Sequence, residues 1–289
     1  MNDRLIRTYG DNYVHISEFD SFVPHTPTGS APGGTDLLGR SVEGPDPVAA
    51  EFAEQVAKLV KDGDTLQVGV GSASEAVVRM GALSGKVDLG WHSEVTPRGI
   101  IKLVQEGVIT GKHKTIHAGK VVAAAIGSTK EDMDYVNMNP MFELYDGSYI
   151  IDPRVISAHD NLIAINSALA VDLTGQISVE SVGFGMVSGT GGQLAFAVGA
   201  QLSKGGRYVA VLPSTARGGA LTRIVSAFEP GTIVSVPRTL ADLVVTEYGI
   251  ASLRGRSQRE RAKALISIAH PDFRRELEKD ARKAFYPLQ

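Results

Sequence analysis

The chain of 289 residues contains no cysteine and only one tryptophan. The lack of cysteine excludes disulfide bonds, thiolate catalysis and cysteine-based zinc sites, and it fits the cytoplasmic location that we expect. No stretch approaches the ~20 consecutive apolar residues of a membrane span, and the polar first residues lead into no apolar segment that would indicate a signal peptide. A net charge of −3 gives no electrostatic reason to expect a nucleic acid or an anionic membrane as partner.

Apolar runs typical of strands alternate with helical patterns along most of the chain. A helix at 47–60, a strand at 65–71, a helix at 73–83 and a strand at 87–95 open this series. Ser72 and Glu75 have the spacing of a capping box for the second helix. Further strands are predicted at 120–126, 149–151, 162–166, 168–171, 177–179, 208–212, 232–236 and 241–249. Further helices are predicted at 99–105, 130–137, 194–202 and 257–285, the last broken at His270-Pro271. Such alternation predicts an α/β protein with parallel strands and crossover helices.

The first 47 residues differ from the rest in composition. Tyr13-Val14-His15-Ile16 reads as a strand that needs a sheet to join, and residues 24–47 are rich in Pro, Gly, Ser and Thr, as in a linker or a long surface loop. We therefore divide the chain into a strand remnant plus linker, 1–47, and a main domain, 48–289.

Glu94 lies in the stretch 89–95, where a predicted strand gives way to a predicted helix. Ligands bind at this edge in open α/β sheets. A carboxylate that is partly removed from water can attack an activated thioester and form a mixed anhydride. Taken alone, the stretch favours a structural role, since acidic residues are favoured at helix N-termini and Glu94 would cap the helix that follows. His92 shares a strand face with Glu94 and would either orient the carboxylate or pack in the core.

Two glycine-rich loops each follow a strand pattern and precede a helix. The first holds Gly69 and Gly71, and the second holds Gly189, Gly191 and Gly192. Backbone N–H groups in such loops can hold a pyrophosphate or an oxyanion, although for either loop alone a tight turn is the simpler interpretation. Neither loop has the dinucleotide fingerprint or the P-loop motif.

Other residue patterns give no catalytic or metal centre. His113 and His117 have the spacing of a zinc helix, but the glycines around them disfavour a helix, so we expect no metal site. No nucleophile elbow is present for a serine hydrolase. The charged run 254–261 reads as a solvated face, with the contact to a coenzyme 3′-phosphate as an alternative.

Several stretches together resemble one family, the acetyl-CoA hydrolase/transferase family of class I CoA-transferases, which includes 4-hydroxybutyrate and butyryl/acetate CoA-transferases. They occur in order as 62–71, His-Ser-Glu at 92–94, 106–114, 139–145, Ile-Asn-Ser at 165–167, Ser-Gly-Thr-Gly-Gly-Gln at 188–193, Pro-Ser-Thr-Ala at 213–216, Val-Thr-Glu-Tyr-Gly at 245–249 and Ile-Ala-His-Pro at 268–271. The resemblance implies an open, mostly parallel mixed sheet flanked by helices, similar to the C-terminal domain of these enzymes. Residues 10–17 resemble the end of their first domain.

The same resemblance implies roles for individual residues. Glu94 takes the place of the nucleophilic glutamate, and Glu247 that of a glutamate lining the active site. Gly191 and Gly192 take the place of the loop that supplies oxyanion and CoA contacts. The resemblance therefore favours the catalytic role of Glu94 over the structural one. The glycines 69, 71 and 189 complete the expected coenzyme-binding set.

The implied activity is transfer of CoA from an acyl-CoA to a small carboxylic acid through a glutamyl-CoA thioester on Glu94. CoA would be a substrate, with no permanently bound cofactor. Two alternatives stay open: an acyl-CoA thioester hydrolase that uses the same glutamate, and a non-catalytic CoA-binding or regulatory half-protein. Family members usually have a further N-terminal domain, so we expect a second subunit that supplies it, or a homo-oligomer.

Overall fold

The computed structural model describes residues 5–24 and 47–285. Most of the predicted linker at 24–47 lies outside this part of the chain. The nine α-helices within it are α1 Pro47–Ala57, α2 Ser72–Arg79, α3 Ile100–Gln105, α4 Lys130–Val136, α5 Gly147–Ile150, α6 Pro153–Ser157, α7 Gln193–Leu202, α8 Gln258–Ser267 and α9 Pro271–Phe285, and a single 3₁₀ turn lies at Ile16–Glu18 of the described residues. Among these, no helix is both long and apolar enough to cross a membrane.

Nine strands form the main sheet, in the order β1-β5-β4-β3-β2-β6-β11-β15-β16. Their bounds are β1 Tyr9–Gly10, β2 Thr65–Val68, β3 Gly90–Thr96, β4 Val121–Ile126, β5 Phe142–Leu144, β6 Leu162–Ser167, β11 Arg207–Val211, β15 Leu243–Thr246 and β16 Gly249–Ser252. Every neighbouring pair is parallel except β15 and β16, which form an antiparallel edge. The predicted fold class, an α/β protein with an open, mostly parallel mixed sheet flanked by helices, is confirmed.

The remaining strands are short and lie between β6 and β15 along the chain. They form a three-stranded sheet and two hairpins: β7 Ala170–Asp172, β8 Ile177–Ser178 and β14 Ile224–Val225, then β9 Ser181–Val182 with β10 Gly185–Met186, and β12 Thr215–Ala216 with β13 Leu221–Thr222.

Successive residues of β3 belong to the two opposite faces of the sheet, as strand geometry requires. Trp91 is fully buried in a core with α1, α2 and α3. The opposite core contains Val122, Ile150 and Phe196 and packs α5, α6 and α7 against the sheet. His92 belongs to this second face, since its Nε2 lies 3.0 Å from the Ile150 carbonyl oxygen. Helices on both faces explain why β4, with the sequence VVAAAI, is apolar throughout.

The start of α2 differs from the prediction. Gly71, and not Ser72, occupies the N-cap and has no side chain that could cap the helix. Ser167 Oγ, at the end of β6, instead accepts a 2.9 Å hydrogen bond from Ser74 N–H in the first turn. A Cβ atom on Gly71 would lie 2.5 Å from Ser167 Oγ, so the close approach of β6 takes the place of the predicted capping box.

Three predicted strands are wrong. Residues 13–16 form no strand; Tyr9–Gly10 joins the sheet instead, beside β5. Residues 149–151 end helix α5, whose N-cap Asp146 accepts a hydrogen bond from Ser148 N–H. At 232–236 the structure has only an isolated bridge between Val236 and Ile177. Each of these segments has residues of high β propensity, but no adjacent strand of the described residues lies where it could form a ladder of hydrogen bonds with them.

Candidate active site

Glu94 lies near the carboxyl end of β3 and is half-buried. Its Oε2 accepts a hydrogen bond of 3.1 Å from the backbone N–H of Gly192. The structural interpretation, in which Glu94 caps α3, is wrong. The N-cap of that helix is Gly99, which is in a left-handed conformation and makes no side-chain hydrogen bond. The predicted nucleophile and the predicted diglycine loop are therefore in direct contact.

Gly192 is also the N-cap of α7, so the Glu94 carboxylate lies at the positive end of that helix. The φ of Gly192 is −90°, which any residue can adopt. Glycine is needed there for space, since a Cβ atom would lie 2.6 Å from Glu94 Oε2 and 2.9 Å from Cγ2 of Ile151. The absent side chain of Gly192 is what lets the carboxylate reach the backbone donor.

The first glycine loop follows β2, the strand next to β3. A Cβ atom on Gly69 would lie 2.3 Å from Asn166 Oδ1, and the Gly69 carbonyl accepts a 2.6 Å hydrogen bond from Ser74 Oγ. Ser74 N–H donates in turn to Ser167 Oγ at 2.9 Å. The loop is thus fixed to the end of β6 by short polar contacts.

Gly189 and Gly191 lie on the exposed part of the second loop. Neither has an atom within 4 Å of the position of a Cβ, and Gly191 has a φ of +54°. Of the three glycines predicted in this loop, only Gly192 donates a hydrogen bond to Glu94. The structure leaves the other two facing open space.

Glu247 follows β15, at the same edge of the sheet but four strands from β3. Its two carboxylate oxygens accept hydrogen bonds from Ser214 N–H (2.8 Å) and Ser214 Oγ (2.5 Å). Within the described ranges, no hydrogen bond joins Glu247 to Glu94. The two predicted catalytic residues therefore share an edge without direct contact.

His92 packs in the core and does not contact Glu94. Its ring lies 4.7 Å from that of His159, and both side chains are fully buried. Burial lowers the pKa of His92 to about 3 and that of His159 to about 2, because the imidazolium form would lose its hydration. Both rings are neutral at pH 7, and His92 serves strand β3 by its bond to Ile150.

Lys114 is a further buried ionisable residue beside this strand. Its Nζ donates to the carbonyl oxygens of Trp91 and Lys120, at 2.9 and 3.0 Å. Burial lowers its pKa to about 7. These two bonds join the start of β3 to the segment that enters β4.

The other residues singled out from the sequence contact protein groups. His117 lies against Glu143 and Tyr149, and its Nε2 is 2.7 Å from the Tyr149 hydroxyl. In the part of the chain that the structure describes, no group of three or more His, Asp or Glu has the geometry of a metal site. In the charged run 254–261, Arg261 donates to the carbonyl oxygens of Thr174 and Arg238.

Two contacting residues have no assigned role in the sequence analysis, although both lie in quoted motifs. Ser214 binds both oxygens of Glu247. Gln193, directly after the diglycine, donates to Ser167 O and to the Tyr208 hydroxyl. In the sequence, each of the two residues is marked only by its place in a loop that follows a predicted strand.

The fold is that of solved CoA-transferase structures. A 4-hydroxybutyrate CoA-transferase from Porphyromonas gingivalis superimposes with a TM-score of 0.81 at 38% identity, covering 98% of this chain and 65% of that one. RipA from Yersinia pestis superimposes with a TM-score of 0.88 at 36% identity, covering 98% and 62%.

Comparison of sequences agrees with the fold. The family model described as the acetyl-CoA hydrolase/transferase C-terminal domain matches residues 128–281. The 4-hydroxybutyrate coenzyme A transferase of Clostridium kluyveri is 42% identical over 285 residues, which is 99% of this chain and 64% of that protein. The chain belongs to the acetyl-CoA hydrolase/transferase family, and it spans just under two thirds of the length of these relatives.

Proposed function

We propose that this protein is a CoA-transferase that moves CoA from an acyl-CoA to a small carboxylic acid by way of a glutamyl-CoA thioester on Glu94. The observation that carries the proposal is the 3.1 Å hydrogen bond between Glu94 Oε2 and Gly192 N–H at the start of α7. It presents a half-buried carboxylate and a backbone donor at the edge of the sheet where ligands bind.

The proposed reaction has two halves. A carboxylate oxygen of Glu94 attacks the thioester carbonyl, the C–S bond breaks, and an acyl-glutamyl anhydride and CoA thiolate result. The thiolate then attacks the glutamyl carbonyl of the anhydride, which releases the first acid and leaves the glutamyl-CoA thioester. In the second half the acceptor carboxylate repeats these two attacks in reverse, and free Glu94 and a new acyl-CoA are formed.

The Gly192 N–H has two uses in this scheme. It stabilises the resting carboxylate, together with the dipole of α7. It can also donate to the oxyanion that develops when the glutamyl carbonyl is attacked, because a backbone donor fixed at a helix start needs no reorganisation during the reaction. The loss of one such donor typically lowers kcat by about 10²- to 10³-fold.

The acyl donor and the acceptor are proposed only by class, as an acyl-CoA and a small carboxylic acid. Curated relatives that carry such names include the butyryl-CoA:acetate CoA-transferase of Anaerostipes caccae, which is 40% identical over 98% of this chain. We further propose a cytoplasmic location, and an oligomer or a second subunit that supplies the region of the relatives that this chain does not match.

Trapping of the intermediate tests the proposal. The protein is incubated with acyl-CoA, treated with borohydride and digested, and the peptide that contains Glu94 is analysed by mass spectrometry. We expect reduction of the Glu94 thioester to the alcohol in the wild type and none in Glu94→Gln. CoA retention without an adduct would contradict the proposal and indicate a binding protein. Adduct formation with acid release that ignores the acceptor would indicate a hydrolase.

A further inference from the structure

Gln193 is the first residue of α7 and directly follows the Gly192 donor. Its side-chain Nε2 donates two hydrogen bonds to the sheet beneath, to the Tyr208 hydroxyl at 2.6 Å and to the Ser167 carbonyl at 3.2 Å. Tyr208 lies on β11 and Ser167 ends β6, so one amide group ties the start of the helix to two adjacent strands.

The tyrosine end of this contact is entirely inside the protein. Tyr208 is fully buried, in the core that packs α7 against the sheet. Burial raises the pKa of its hydroxyl above the ordinary value, so the group stays protonated at neutral pH. A buried hydroxyl is costly unless it is hydrogen-bonded, and Gln193 is the partner that the structure gives it.

The serine end joins both glycine loops. The Ser167 carbonyl accepts from Gln193, while its Oγ accepts from Ser74 N–H of α2 and fills the space that the missing side chain of Gly71 leaves. The starts of α2 and α7 are therefore held by the same residue at the carboxyl end of β6.

We propose that Gln193, anchored by Tyr208 and Ser167, is a positioning residue that aims the Gly192 N–H at Glu94. This inference rests on the proposed function of Glu94. Gln193 itself touches neither reacting group. Its peptide unit directly follows the unit that carries the Gly192 N–H, and it fixes the direction of that N–H through the Gly192 Cα that joins the two units. A displacement of about 1 Å at a reacting centre can lower the rate about 10²-fold. Loss of the hydrogen bonds of Gln193 should therefore slow the acylation of Glu94 while acyl-CoA still binds.

Single-turnover trapping separates positioning from structural damage. The wild type and variants are mixed with saturating acyl-CoA, and the Glu94 adduct is reduced with borohydride at successive times. The amplitude counts the molecules that are folded and competent, while the rate constant reports the alignment of Glu94. A positioning role predicts a lower rate constant at an unchanged amplitude; a purely structural role predicts a lower amplitude at an unchanged rate constant.

Tyr208→Phe removes only the hydroxyl group. We expect it to lower the rate constant about 10-fold, the value of one hydrogen bond of ordinary strength. Gln193→Met keeps the helix propensity and removes both anchors, and should lower it about 10²-fold. The double variant should have the same rate constant as Gln193→Met, because Tyr208 acts only through Gln193.

Tyr145→Phe is the control. It loses a 3.0 Å hydrogen bond to Glu143 elsewhere in the fold and should keep the wild-type rate constant.

The outcomes separate the two proposals. Absence of an adduct in the wild type would end the proposed function. An adduct that forms in Tyr208→Phe and Gln193→Met as fast as in the wild type would overturn the positioning role and leave the nucleophile in place. A fully additive double variant would likewise overturn it, since Tyr208 would then act independently of Gln193.

Discussion

The central hydrogen bond of the site is made by a backbone N–H, so no side-chain deletion can remove its donor. Gly192→Ala tests it by displacing the acceptor, because the new Cβ would lie 2.6 Å from Glu94 Oε2 at a φ of −90° that alanine adopts freely. We expect turnover to fall about 10²-fold, with a loss of stability of about 1 kcal/mol because the same Cβ would lie 2.9 Å from Cγ2 of Ile151. Steady-state kinetics and thermal unfolding measure both.

The matched control for this change is Gly147→Ala. A Cβ atom on Gly147 would meet no atom within 4 Å, so this variant should keep wild-type turnover. Equal activity of Gly192→Ala and Gly147→Ala would show that the Glu94 carboxylate does not need its observed position.

Shortening the nucleophile tests the same geometry from the other side. Glu94→Asp preserves the charge but withdraws the carboxylate by about 1.5 Å, the length of one carbon–carbon bond. It should lose the contact to Gly192 and lower kcat about 10²-fold, while the KM for acyl-CoA changes little, since the binding surface is intact. Turnover close to that of the wild type would argue against nucleophilic attack by Glu94.

The buried histidine pair should make the fold acid-sensitive. A histidine in the unfolded chain takes up a proton below about pH 6.5, whereas His159 in the folded chain, with a pKa of about 2, does not. The unfolded state therefore binds more protons, and stability is lost as the pH falls from about 6.5 towards 2. Each such histidine contributes a slope of up to about 1.4 kcal/mol per pH unit.

His159→Phe isolates this contribution, because the change in packing shifts stability equally at every pH. The free energy of unfolding is measured in urea at several pH values between 6.5 and 4.5. Plotted against pH, it should change less steeply in His159→Phe than in the wild type, by about 1 kcal/mol per pH unit. Identical slopes would mean that His159 takes up a proton in the folded protein.

The limits of sequence reasoning at this scale are visible in the second glycine loop. Glu94 could be predicted from its place between a strand and a helix together with its motif. The roles of the three loop glycines could not be distinguished, because identical residues differ here only in their three-dimensional surroundings. Gly192 lies against Glu94 and Ile151, while Gly189 and Gly191 face open space. The role of Gln193 depends on Tyr208, whose hydroxyl lies 15 residues further along the chain.

At the scale of elements, the order of the central strands and of most helices followed from periodicity, because apolar stripes on helices and apolar runs on buried strands are local patterns. The edge strands β1, β5 and β16 and the short helices α5 and α6 were not predicted. The break at His270-Pro271 between α8 and α9 is confirmed. The wrong strands at 13–16, 149–151 and 232–236 consist of residues with β propensity, but pairing depends on a neighbour that local sequence does not show. The start of α2 was missed for a similar reason, since its cap depends on Ser167, far along the chain.

The junction of β2 and α2 gives a prediction for stability. Gln67 and Asn166 exchange two buried hydrogen bonds, 3.1 and 2.8 Å, directly beneath Gly69. Gly69→Ala would place a Cβ 2.3 Å from Asn166 Oδ1 and separate the pair. Because the amides would be left buried and unsatisfied, we expect a loss of about 2 kcal/mol in the free energy of unfolding, measured in urea.

Gly189→Ala is the matched control for stability, since its Cβ meets no atom within 4 Å. It should unfold at the same urea concentration as the wild type. Equal midpoints for Gly69→Ala and the wild type would show that the amide pair rearranges freely, and that the loop is less rigid than its contacts indicate.

At the scale of the molecule, the carboxyl edge of the sheet carries Glu94 at one strand and Glu247 four strands away. Both side chains are half-buried, and each is held by donors from this chain. A glutamyl thioester at such an edge can be attacked by an acceptor acid or by water, and the exclusion of water is a property of the closed site. The chain spans 64% of its C. kluyveri relative, and we propose the unmatched region of such relatives as the source of that closure.

We therefore expect the partition of the glutamyl-CoA thioester to depend on that region. For the 289-residue chain alone, a large share of the trapped CoA should be lost to water, even at high acceptor concentration. Supplying the unmatched region of a relative, as a separate chain or a fusion, should raise the ratio of transfer to hydrolysis about 10-fold or more, as expected when water is excluded. The ratio is measured as new acyl-CoA against free acid. An unchanged ratio would mean that this chain excludes water by itself, and that Glu94 and the loop of Gly192 form the complete catalytic unit.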